Sequence, residues 1–375
     1  MNILHINSNY LTSRLHENLI DQIETKEFHN TIFMPIKEEK ESEFLYQSKH
    51  EIYNPVSFKD KDKYVFTLKQ YKIFEKLEST LKIKEYSLIH AHTLFTDGNV
   101  AYNLNKKYGI PYIVTVRGYT DINVFFKTRL NLRRKGRKIL NNAFSIIFLS
   151  EANKNELLNN YIKDEKLKKN IESKCIVNPN GIDDFWFANV GTPKTIKDKS
   201  DIKFIYVGKI MKLKNVLGTI EALKYFNGNS NYQGSLTIVG KKIDKSYTDH
   251  ILKENEVKIN LLDQMPREKL INLYRESDIF IMPSFKETFG LVYPEAMSQG
   301  LPVIYTKGQG FDQQFEDGMV GYPVDANDPS DISENMTKIV EDYTNISQNA
   351  IINFTRFNWN DISKRYIKLY KKVLK

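Results

Sequence analysis

Short, continuous apolar runs recur along this chain and are separated by longer amphipathic stretches. The runs in the first half lie at 3–7, 31–36, 87–92, 111–116, 145–150 and 175–179, and those in the second half lie at 203–208, 235–240, 258–262, 278–284 and 302–306. Continuous apolarity is typical of strands that are buried on both faces, as in parallel sheets. The stretches between the runs, such as 97–109 and 267–278, have helical patterns. This order predicts an α/β chain with two doubly wound, Rossmann-like domains in tandem.

The length of the chain and its turn-forming residues predict the number of domains and the boundary between them. The 375 residues, 41% of them hydrophobic, are enough for two cores of ordinary size. The segment NPNGIDDF at 178–185 contains the Pro and Asn-Gly that commonly mark a boundary. The segment 357–375 has apolar residues at helical spacing. We therefore predict a first domain at 1–179, a second at 180–352 and a C-terminal helical segment at 353–375.

The composition restricts the compartment and the partners. A single cysteine, Cys175, excludes an internal disulfide and suits a reducing cytoplasm. No apolar run is as long as a membrane span, and the first residues lack the pattern of a secretory signal. The net charge of +9 is compatible with nucleic acid, an anionic membrane or phosphorylated substrates. No nucleic-acid-binding module is recognisable, so we expect no nucleic-acid partner. The single cysteine and the missing secretory signal together predict a cytoplasmic protein.

Two glutamates, Glu287 and Glu295, stand eight positions apart in the segment ETFGLVYPEA. Glu287 follows an apolar run, and Glu295 lies in a short predicted helix between Pro294 and Gly300. A turn from a strand to a helix lies at the carboxyl edge of a parallel sheet, where ligands bind. The carboxylates can accept hydrogen bonds from sugar or ribose hydroxyls, although an isolated surface glutamate is usually only solvated. The main-chain N–H groups predicted to hold a phosphate at the start of this helix are those of Phe289, Gly290 and Leu291.

A basic loop follows another predicted strand, in VGKIMKLKNV at 207–216. Gly208 would let a ligand approach the backbone closely, and Lys209 and Lys214 would place two point charges on a diphosphate. The alternative is a solvated basic loop. The loop is not a P-loop, because the pattern GxxxxGK[ST] is absent.

The segment from Glu287 continues as AMSQGLPVIYTKGQG, and the whole string at 287–310 resembles the signature of the retaining family 4 glycosyltransferases. Members have the GT-B fold, in which two Rossmann-like domains face a central cleft and a C-terminal helix crosses back to the first domain. The resemblance implies that Glu287 contacts the donor sugar, Glu295 the nucleotide ribose, and Lys209 and Lys214 the diphosphate.

The resemblance also implies the reaction. We expect a metal-independent, front-face transfer without a cofactor, from a UDP-sugar, with a GDP-sugar as the alternative, to a growing bacterial surface glycan that is lipid-linked. Two rival interpretations stay open at this point. One is a GT-B enzyme of different chemistry, a phosphorylase or an epimerase. The other is a GT-B-like subunit that only binds glycan or another transferase.

The acceptor is expected at the first domain. The turn after the first strand, which is often glycine-rich in the family, here contains Asn9. Many relatives have a histidine where this chain has Arg117, which cannot be a general base but can clamp a phosphate or an acidic group of the acceptor. His92 would contact the ligand or be a hydrogen-bonded histidine of the sheet edge, and Asp121 would bind a hydroxyl or cap a helix. His90 shares a face with His92, but no further ligand at suitable spacing predicts a metal site.

Two further segments carry predictions. The stretch 125–140 interleaves apolar and basic side chains, so it is predicted to lie on an anionic membrane, at the inner face of the plasma membrane, or to be a solvated helix face with a buried stripe. The stretch 308–324 resembles the donor-proximal loop of the family. Relatives often have a glutamate near Asp312 to Gln314, where this chain has amides.

Overall fold

The computed structural model describes residues 1–25, 27–38, 47–196 and 200–374. The chain divides into two compact units. The first unit comprises Met1–Gly181 and the residues from Trp359 onward, and the second comprises Ile182–Asn358. Lys375, the last residue of the predicted C-terminal segment, lies outside the described residues.

The strands, in chain order, are β1 (Asn2–Ile6), β2 (His29–Phe33), β3 (Ile36–Lys37), β4 (Ile52–Tyr53), β5 (Val56–Phe58), β6 (Leu88–Ala91), β7 (Tyr112–Val116), β8 (Ser145–Phe148), β9 (Cys175–Val177), β10 (Ile202–Val207), β11 (Gly234–Val239), β12 (Lys258–Leu262), β13 (Ile279–Ile281), β14 (Val303–Thr306) and β15 (Gly321–Val324). The helices are α1 (Leu15–Ile23), α2 (Phe66–Thr80), α3 (Thr96–Tyr108), α4 (Leu130–Asn142), α5 (Glu151–Tyr161), α6 (Glu165–Glu172), α7 (Asp184–Ala188), α8 (Val216–Asn229), α9 (Lys245–Leu252), α10 (Arg267–Glu276), α11 (Val292–Met297), α12 (Pro329–Glu341), α13 (Tyr343–Asn353) and α14 (Trp359–Val373).

The first unit contains a parallel sheet with the order β4-β2-β1-β6-β7-β8-β9. Strands β6, β7 and β8 are buried along their whole length, which explains their uninterrupted apolar sequences. The strand order reverses between β1 and β6, so the carboxyl ends of these two strands flank the crevice where a ligand binds in a sheet of this kind.

The second unit contains a parallel sheet with the order β12-β11-β10-β13-β14-β15. This is the classical order of a dinucleotide-binding sheet, and it reverses between β10 and β13. The predicted pair of Rossmann-like sheets is therefore confirmed.

The last helix packs on the first unit. Its apolar face contacts buried residues of β1 and α1, among them Ile3 and Leu19. At its start, the indole of Trp359 covers Gly181, where an added Cβ would lie 2.5 Å from the ring. The C-terminal segment that belongs to the first unit begins at Trp359, later than the predicted residue 353. Phe357 still belongs to the second unit and packs against Phe289, with ring centroids 5.7 Å apart.

A π-helical segment, Gly118–Phe126, follows β7 and leads towards α4. Within the described ranges, no helix is both long enough and apolar enough to cross a membrane.

Candidate active site

The loop after β10 lies at the switch point of the second sheet. The N–H of Gly208 donates to the carbonyl of Val239 over 3.0 Å. An added Cβ on Gly240 would lie 1.7 Å from the carbonyl oxygen of Gly208, so the two backbones meet where no side chain fits. Lys209 comes next and is exposed, and its ammonium makes no ion pair with any residue that the structure describes. It is free to meet an anionic ligand.

Lys214 and Glu287 form an ion pair at this edge. The Nζ of Lys214 lies 2.6 Å from Oε2 of Glu287, and the two side chains are only 20% and 14% exposed. Asn215, which follows Lys214, adopts a left-handed conformation with φ of 55°. Its amide donates to the carbonyl oxygens of Pro283 and Ala326 and so fixes the turn that presents the lysine.

The backbone at Glu287 is tied to the loop after β14. The N–H of Glu287 donates to the side-chain oxygen of Gln309 over 3.0 Å, and the N–H of Gly310 donates to the carbonyl of Glu287 over 3.2 Å. The second carboxylate oxygen of Glu287 accepts the N–H of Thr288. The carboxylate is therefore held by a lysine and a backbone group, and the predicted donor-proximal loop positions it.

Three consecutive N–H groups follow, those of Phe289, Gly290 and Leu291. None of them donates a hydrogen bond to an acceptor in the part of the chain that the structure describes. The ring of Phe289 is buried and Gly290 has a φ of 83°, so the backbone is fixed while its N–H groups stay available. Available N–H groups in a fixed turn suit an anion.

Glu295 lies on α11 in a different environment from Glu287. Burial raises the pKa of its carboxyl to about 8, with a further contribution from the carboxylate of Asp183. The guanidinium of Arg267 and a hydrogen bond from Trp186 oppose this shift. Arg267 is itself paired with Asp183 over 2.5 Å. Glu295 is thus a partly buried acceptor beside the segment that enters the second unit.

In the first unit, Arg117 and Asp121 form a bonded group after β7. The Nε of Arg117 donates to the carbonyl of His92 over 3.1 Å. The carboxylate of Asp121 accepts the N–H groups of Arg117, Leu94 and Phe95 over 2.7, 2.9 and 3.3 Å. Burial raises the pKa of this carboxyl to about 6. Both oxygens of Asp121 thus already accept backbone groups, which indicates a structural role, although Asp121 is not the predicted N-cap because it lies inside the π-helical segment that begins after Arg117.

His92 belongs to a buried histidine cluster that also contains His5 and His90. The register of β1 and β6 pairs His5 with His90. One ring nitrogen from each of the three residues lies within 4.8 Å of the other two. Sequence spacing did not predict His5 as a neighbour, because β1 and β6 are brought together only by the sheet. His92 is 1% exposed, so the alternative of a hydrogen-bonded histidine fits better than a direct ligand contact.

The ring nitrogens of the cluster are largely occupied. His5 hydrogen-bonds His92 over 3.0 Å and Asn30 over 2.9 Å. His90 hydrogen-bonds the hydroxyls of Tyr370 and Thr115 over 2.6 and 2.9 Å. Burial lowers the pKa of His5 to about 4 and also lowers those of His90 and His92. The geometry fits neutral imidazoles in a hydrogen-bond network, and a metal ion would have to replace bonds that are already made.

A cavity of about 470 Å³ opens at the carboxyl edge of the first sheet. Two of the predicted acceptor residues, Asn9 and Asp121, line it, together with Ser8 and Thr93. Ser8 donates its hydroxyl to the carboxylate of Asp97, a buried residue that sequence reasoning missed. The only signal for Asp97 was its place at the start of a predicted helix.

The basic stretch contains two kinds of arginine. Arg133 donates to the carbonyl of Phe126 over 2.6 Å, and Arg137 donates to the carbonyl of Tyr161 over 3.0 Å. These two arginines therefore stabilise the fold through hydrogen bonds to the backbone, so not every cation of the stretch is a solvated surface group. Arg134 is exposed on the same helix. The remaining exposed cations of the stretch are Lys127, Arg129 and Lys138.

Comparison with known proteins identifies the family. Residues 17–184 match the family model described as Glycosyltransferase Family 4, and residues 192–356 match the one described as Glycosyl transferases group 1. An uncharacterised glycosyltransferase of Methanocaldococcus jannaschii is 25% identical over 95% of this chain and 93% of its own length.

Two further proteins extend the comparison. The UDP-Gal:alpha-D-GlcNAc-diphosphoundecaprenol alpha-1,3-galactosyltransferase of Escherichia coli is 27% identical over 73% of this chain and 72% of its own length. Among solved structures, Anabaena HepE in complex with UDP-glucose superposes with a TM-score of 0.70 at 17% identity, covering 99% of this chain and 100% of that one. The chain has the GT-B fold and belongs to the family 4 glycosyltransferases.

Proposed function

We propose that the protein is a retaining, metal-independent glycosyltransferase that moves a sugar from a UDP-sugar to a lipid-linked glycan at the cytoplasmic face of a membrane. The observation that carries this proposal is the Lys214–Glu287 pair, held at the switch point of the second sheet beside three available N–H groups. Cationic and N–H donors next to a carboxylate suit a ligand that joins a diphosphate to a polyol.

The donor is assigned to the second unit. Lys209, Lys214 and the N–H groups at 289–291 would hold the diphosphate, Glu287 the hydroxyls of the sugar, and Glu295 the ribose. UDP is preferred over GDP because HepE, which has the same fold, is described with UDP-glucose. Two lysines and a row of N–H groups supply the positive potential at the leaving phosphate, which is where negative charge grows in the transition state.

The transfer itself needs no protein nucleophile. The bond between the anomeric carbon and the diphosphate oxygen breaks, and its electron pair leaves with the diphosphate. The acceptor hydroxyl oxygen bonds to the anomeric carbon from the same face, and its proton passes to the departing phosphate oxygen. Arg117 would clamp that phosphate or an acidic group of the acceptor, consistent with a side chain that cannot be a general base.

The acceptor is assigned to the first unit. The cavity beside Asn9 lies at the switch point of that sheet, where ligands of such sheets bind. A lipid-linked acceptor is supported by the relative from Escherichia coli, whose name describes a sugar on diphosphoundecaprenol. The exposed cations of α4 would meet anionic lipid headgroups.

The direct test is incubation of the purified protein with UDP-sugars and GDP-sugars and a lipid-linked saccharide extract. We expect nucleoside diphosphate release from one donor, a product with the anomeric configuration of that donor by NMR, and the same rate in excess EDTA. Inversion at the anomeric carbon would contradict retention. Loss of activity on chelation that magnesium or manganese restores would contradict metal independence.

The two glutamates provide a matched pair of variants. Contacts that strengthen in the transition state raise kcat, whereas contacts that stay constant mainly lower KM. Glu287→Gln is expected to reduce kcat about a hundredfold or more with little change in UDP affinity, and Glu295→Gln to raise the donor KM. Calorimetry with UDP beside transfer kinetics measures both. If Glu287→Gln weakens UDP binding and leaves kcat unchanged, the two roles are interchanged or wrong.

A further inference from the structure

Four large side chains at the start of α2 are exposed to solvent. Leu68 and Tyr71 are three positions apart in the helix and share one side of it, whereas buried Ile73 and Leu77 lie on the opposite side. Tyr64 and Val65 directly precede the first turn. We call these four exposed residues, Tyr64, Val65, Leu68 and Tyr71, the apolar patch, and they are 43% to 79% exposed. Single exposed apolar residues are ordinary, but a group of them marks a site of interaction.

The start of α2 lies against the basic stretch. The ring of Phe66 packs against that of Phe125 with centroids 6.0 Å apart, and the ammonium of Lys135 lies 5.9 Å from the centroid of Phe66. The guanidinium of Arg129 lies 5.1 Å from the centroid of Phe125. Leu130, the first residue of α4, is 64% exposed. The apolar patch and the cations of the basic stretch therefore occupy neighbouring parts of the surface of the first unit.

The basic stretch and the start of α2 differ in how their charges are balanced. Residues 122–150 include no aspartate or glutamate, so the basic stretch has no acidic neighbour in sequence. At the start of α2, Lys63 is paired with Asp60 over 2.7 Å, and Lys72 is paired with Asp62 over 2.7 Å. The excess positive charge thus comes from the basic stretch, and the exposed apolar area comes from the start of α2.

We propose that the apolar patch inserts into the acyl region of a membrane of anionic lipids, while the exposed cations of the basic stretch bind the headgroups. A surface of this kind needs both contributions, because either one alone gives weak and reversible attachment. Tyrosine suits the boundary, since its ring is apolar and its hydroxyl is polar. This inference rests on the membrane location in the proposed function, and it adds an apolar anchor to the electrostatic contact of α4.

A second copy of the chain fits this surface less well than a bilayer does. In a symmetric dimer the same surface faces itself, so the two basic stretches would lie close together. Like charges at short range oppose such a contact, whereas anionic headgroups neutralise them. Charge complementarity therefore favours lipid over self-association.

The first experiment measures partitioning of the full-length protein into vesicles of phosphatidylglycerol and phosphatidylcholine. The test variant, V65S/L68S/Y71S, removes apolar area from the patch and leaves every cation in place. The control variant, I352S/L252S/Y225S, replaces a β-branched residue, a leucine and a tyrosine at exposed positions of the second unit. We expect the test variant to bind about tenfold more weakly than the wild type, and the control variant to bind like the wild type. This ratio should persist at higher salt, because salt screens charges and not the burial of apolar surface.

The second experiment measures penetration with one reporter side chain. Tyr71→Trp places an indole in the apolar patch, and Tyr225→Trp is the matched control at an exposed position of the second unit. The two natural tryptophans, Trp186 and Trp359, are buried. Lipids that are brominated on their acyl chains should quench the fluorescence of Tyr71→Trp and leave that of Tyr225→Trp unchanged. A surface that contacts only headgroups would bind the vesicles without this quenching.

Equal binding of the test variant and the wild type, an unquenched Tyr71→Trp, or no binding of the wild type at low salt would each overturn the inference. Sedimentation without lipid tests the second copy: a dimeric wild type and a monomeric test variant would show that self-association covers the patch, which also overturns insertion. Melting temperatures of all variants show whether the fold is intact.

UDP affinity is measured by calorimetry on the same proteins. If UDP binds and the patch does not insert, the inference fails while the proposed donor site stands. If UDP does not bind, the proposed donor fails whatever the vesicles show, so the two failures are distinguishable.

Discussion

At the scale of single residues, the Lys214–Glu287 pair determines the charge of the proposed donor site before a donor binds. The two groups neutralise each other across 2.6 Å in a mostly buried position. A diphosphate that approaches would compete with Glu287 for the ammonium. Glu287 would then be free to accept sugar hydroxyls, so the pair couples the two ends of the donor.

Lys214→Ala is expected to reduce transfer strongly, because it removes a cation from the developing charge of the leaving group and leaves Glu287 without its partner. The expected loss is about 2–4 kcal/mol of transition-state stabilisation. Lys212→Ala is the matched control, since Lys212 lies in the same short turn but is exposed. Transfer rates of both variants test the assigned role of Lys214, and their melting temperatures show whether the fold is intact. Equal activity in the two would exclude the assigned role of Lys214.

For the proposed donor site, the sequence indicated the candidate residues but not the contacts between them. Glu287 and Lys214 were both identified, but their contact joins positions that are far apart in the chain and depends on the β10–β13 switch point. Asp97 was missed, because a single aspartate at the start of a helix looks like an ordinary cap. Only the fold shows that it is buried and bonded to Ser8.

At the scale of elements, β1 and β6 place buried neutral histidines side by side. Burial lowers the pKa of His5 to about 4, below its ordinary value of 6.5. The unfolded chain therefore binds more protons than the folded chain between these pH values. Stability is present above pH 6.5 and decreases as the pH falls towards 4, by about 3 kcal/mol for a shift of this size.

His5→Asn is expected to reduce this loss of unfolding free energy between pH 6.5 and pH 4, although the variant is less stable at pH 7. His250→Asn is the control, since it makes the same substitution at an exposed position on α9. Urea unfolding at a series of pH values measures both slopes. Parallel curves for wild type and His5→Asn would show that His5 does not control acid sensitivity.

The basic stretch 125–140, which contains most of α4, offers a second prediction at this scale. The exposed cations Lys127, Arg134 and Lys138 are expected to contribute about 1 kcal/mol each to binding of anionic liposomes, and salt should screen this contribution. K127E/R134E/K138E should therefore lose liposome sedimentation without losing stability. By contrast, Arg137→Glu should lower the melting temperature, because it breaks the hydrogen bond to Tyr161.

A charge-matched control for the liposome experiment lies in the second unit. K241E/K253E/K269E changes three exposed lysines by the same total charge. If both triple variants lose binding equally, net charge explains the attraction and α4 is not a specific contact. If wild type does not bind anionic liposomes at low salt, the solvated alternative for the basic stretch is correct.

The apolar runs predicted most of the sheets because buried parallel strands need continuous apolar sequence. The run at 31–36 was wrong in one respect: Pro35 interrupts it, and β2 and β3 belong to different sheets. Strand β15 gave no continuous apolar run because it contains Pro323, which an edge strand tolerates. The runs thus predicted the inner strands and the edge strands β9 and β12, and they missed the edge strands β4 and β15.

At the scale of the whole molecule, the first unit is completed by a helix that follows the second unit in sequence. The large side chains that α14 buries there are Trp359, Ile362, Tyr366, Leu369 and Tyr370. Burial of five such side chains contributes on the order of 10 kcal/mol, similar to the total stability of a domain.

A chain that ends at Asn358 is therefore expected to have an unfolded or aggregating first unit. The fragment Ile182–Asn358 keeps its own sheet and should fold alone and bind UDP. Limited proteolysis and calorimetry with UDP compare the truncated chain, the fragment and the full chain. A truncated chain with a protease-resistant first unit would contradict the assigned contribution of α14.

The hydrogen bond between His90 and Tyr370 joins the first sheet to the last helix of the chain, and this connection has a consequence for biosynthesis. On a ribosome, the strands of the first unit emerge early, but the helix that covers β1 and α1 emerges only after the entire second unit has been made. The second unit can close as soon as it leaves the exit tunnel. During translation the second unit would then complete its fold before the first unit, although it is synthesised later. Until α14 docks, the nascent first unit would expose apolar surface that chaperones recognise.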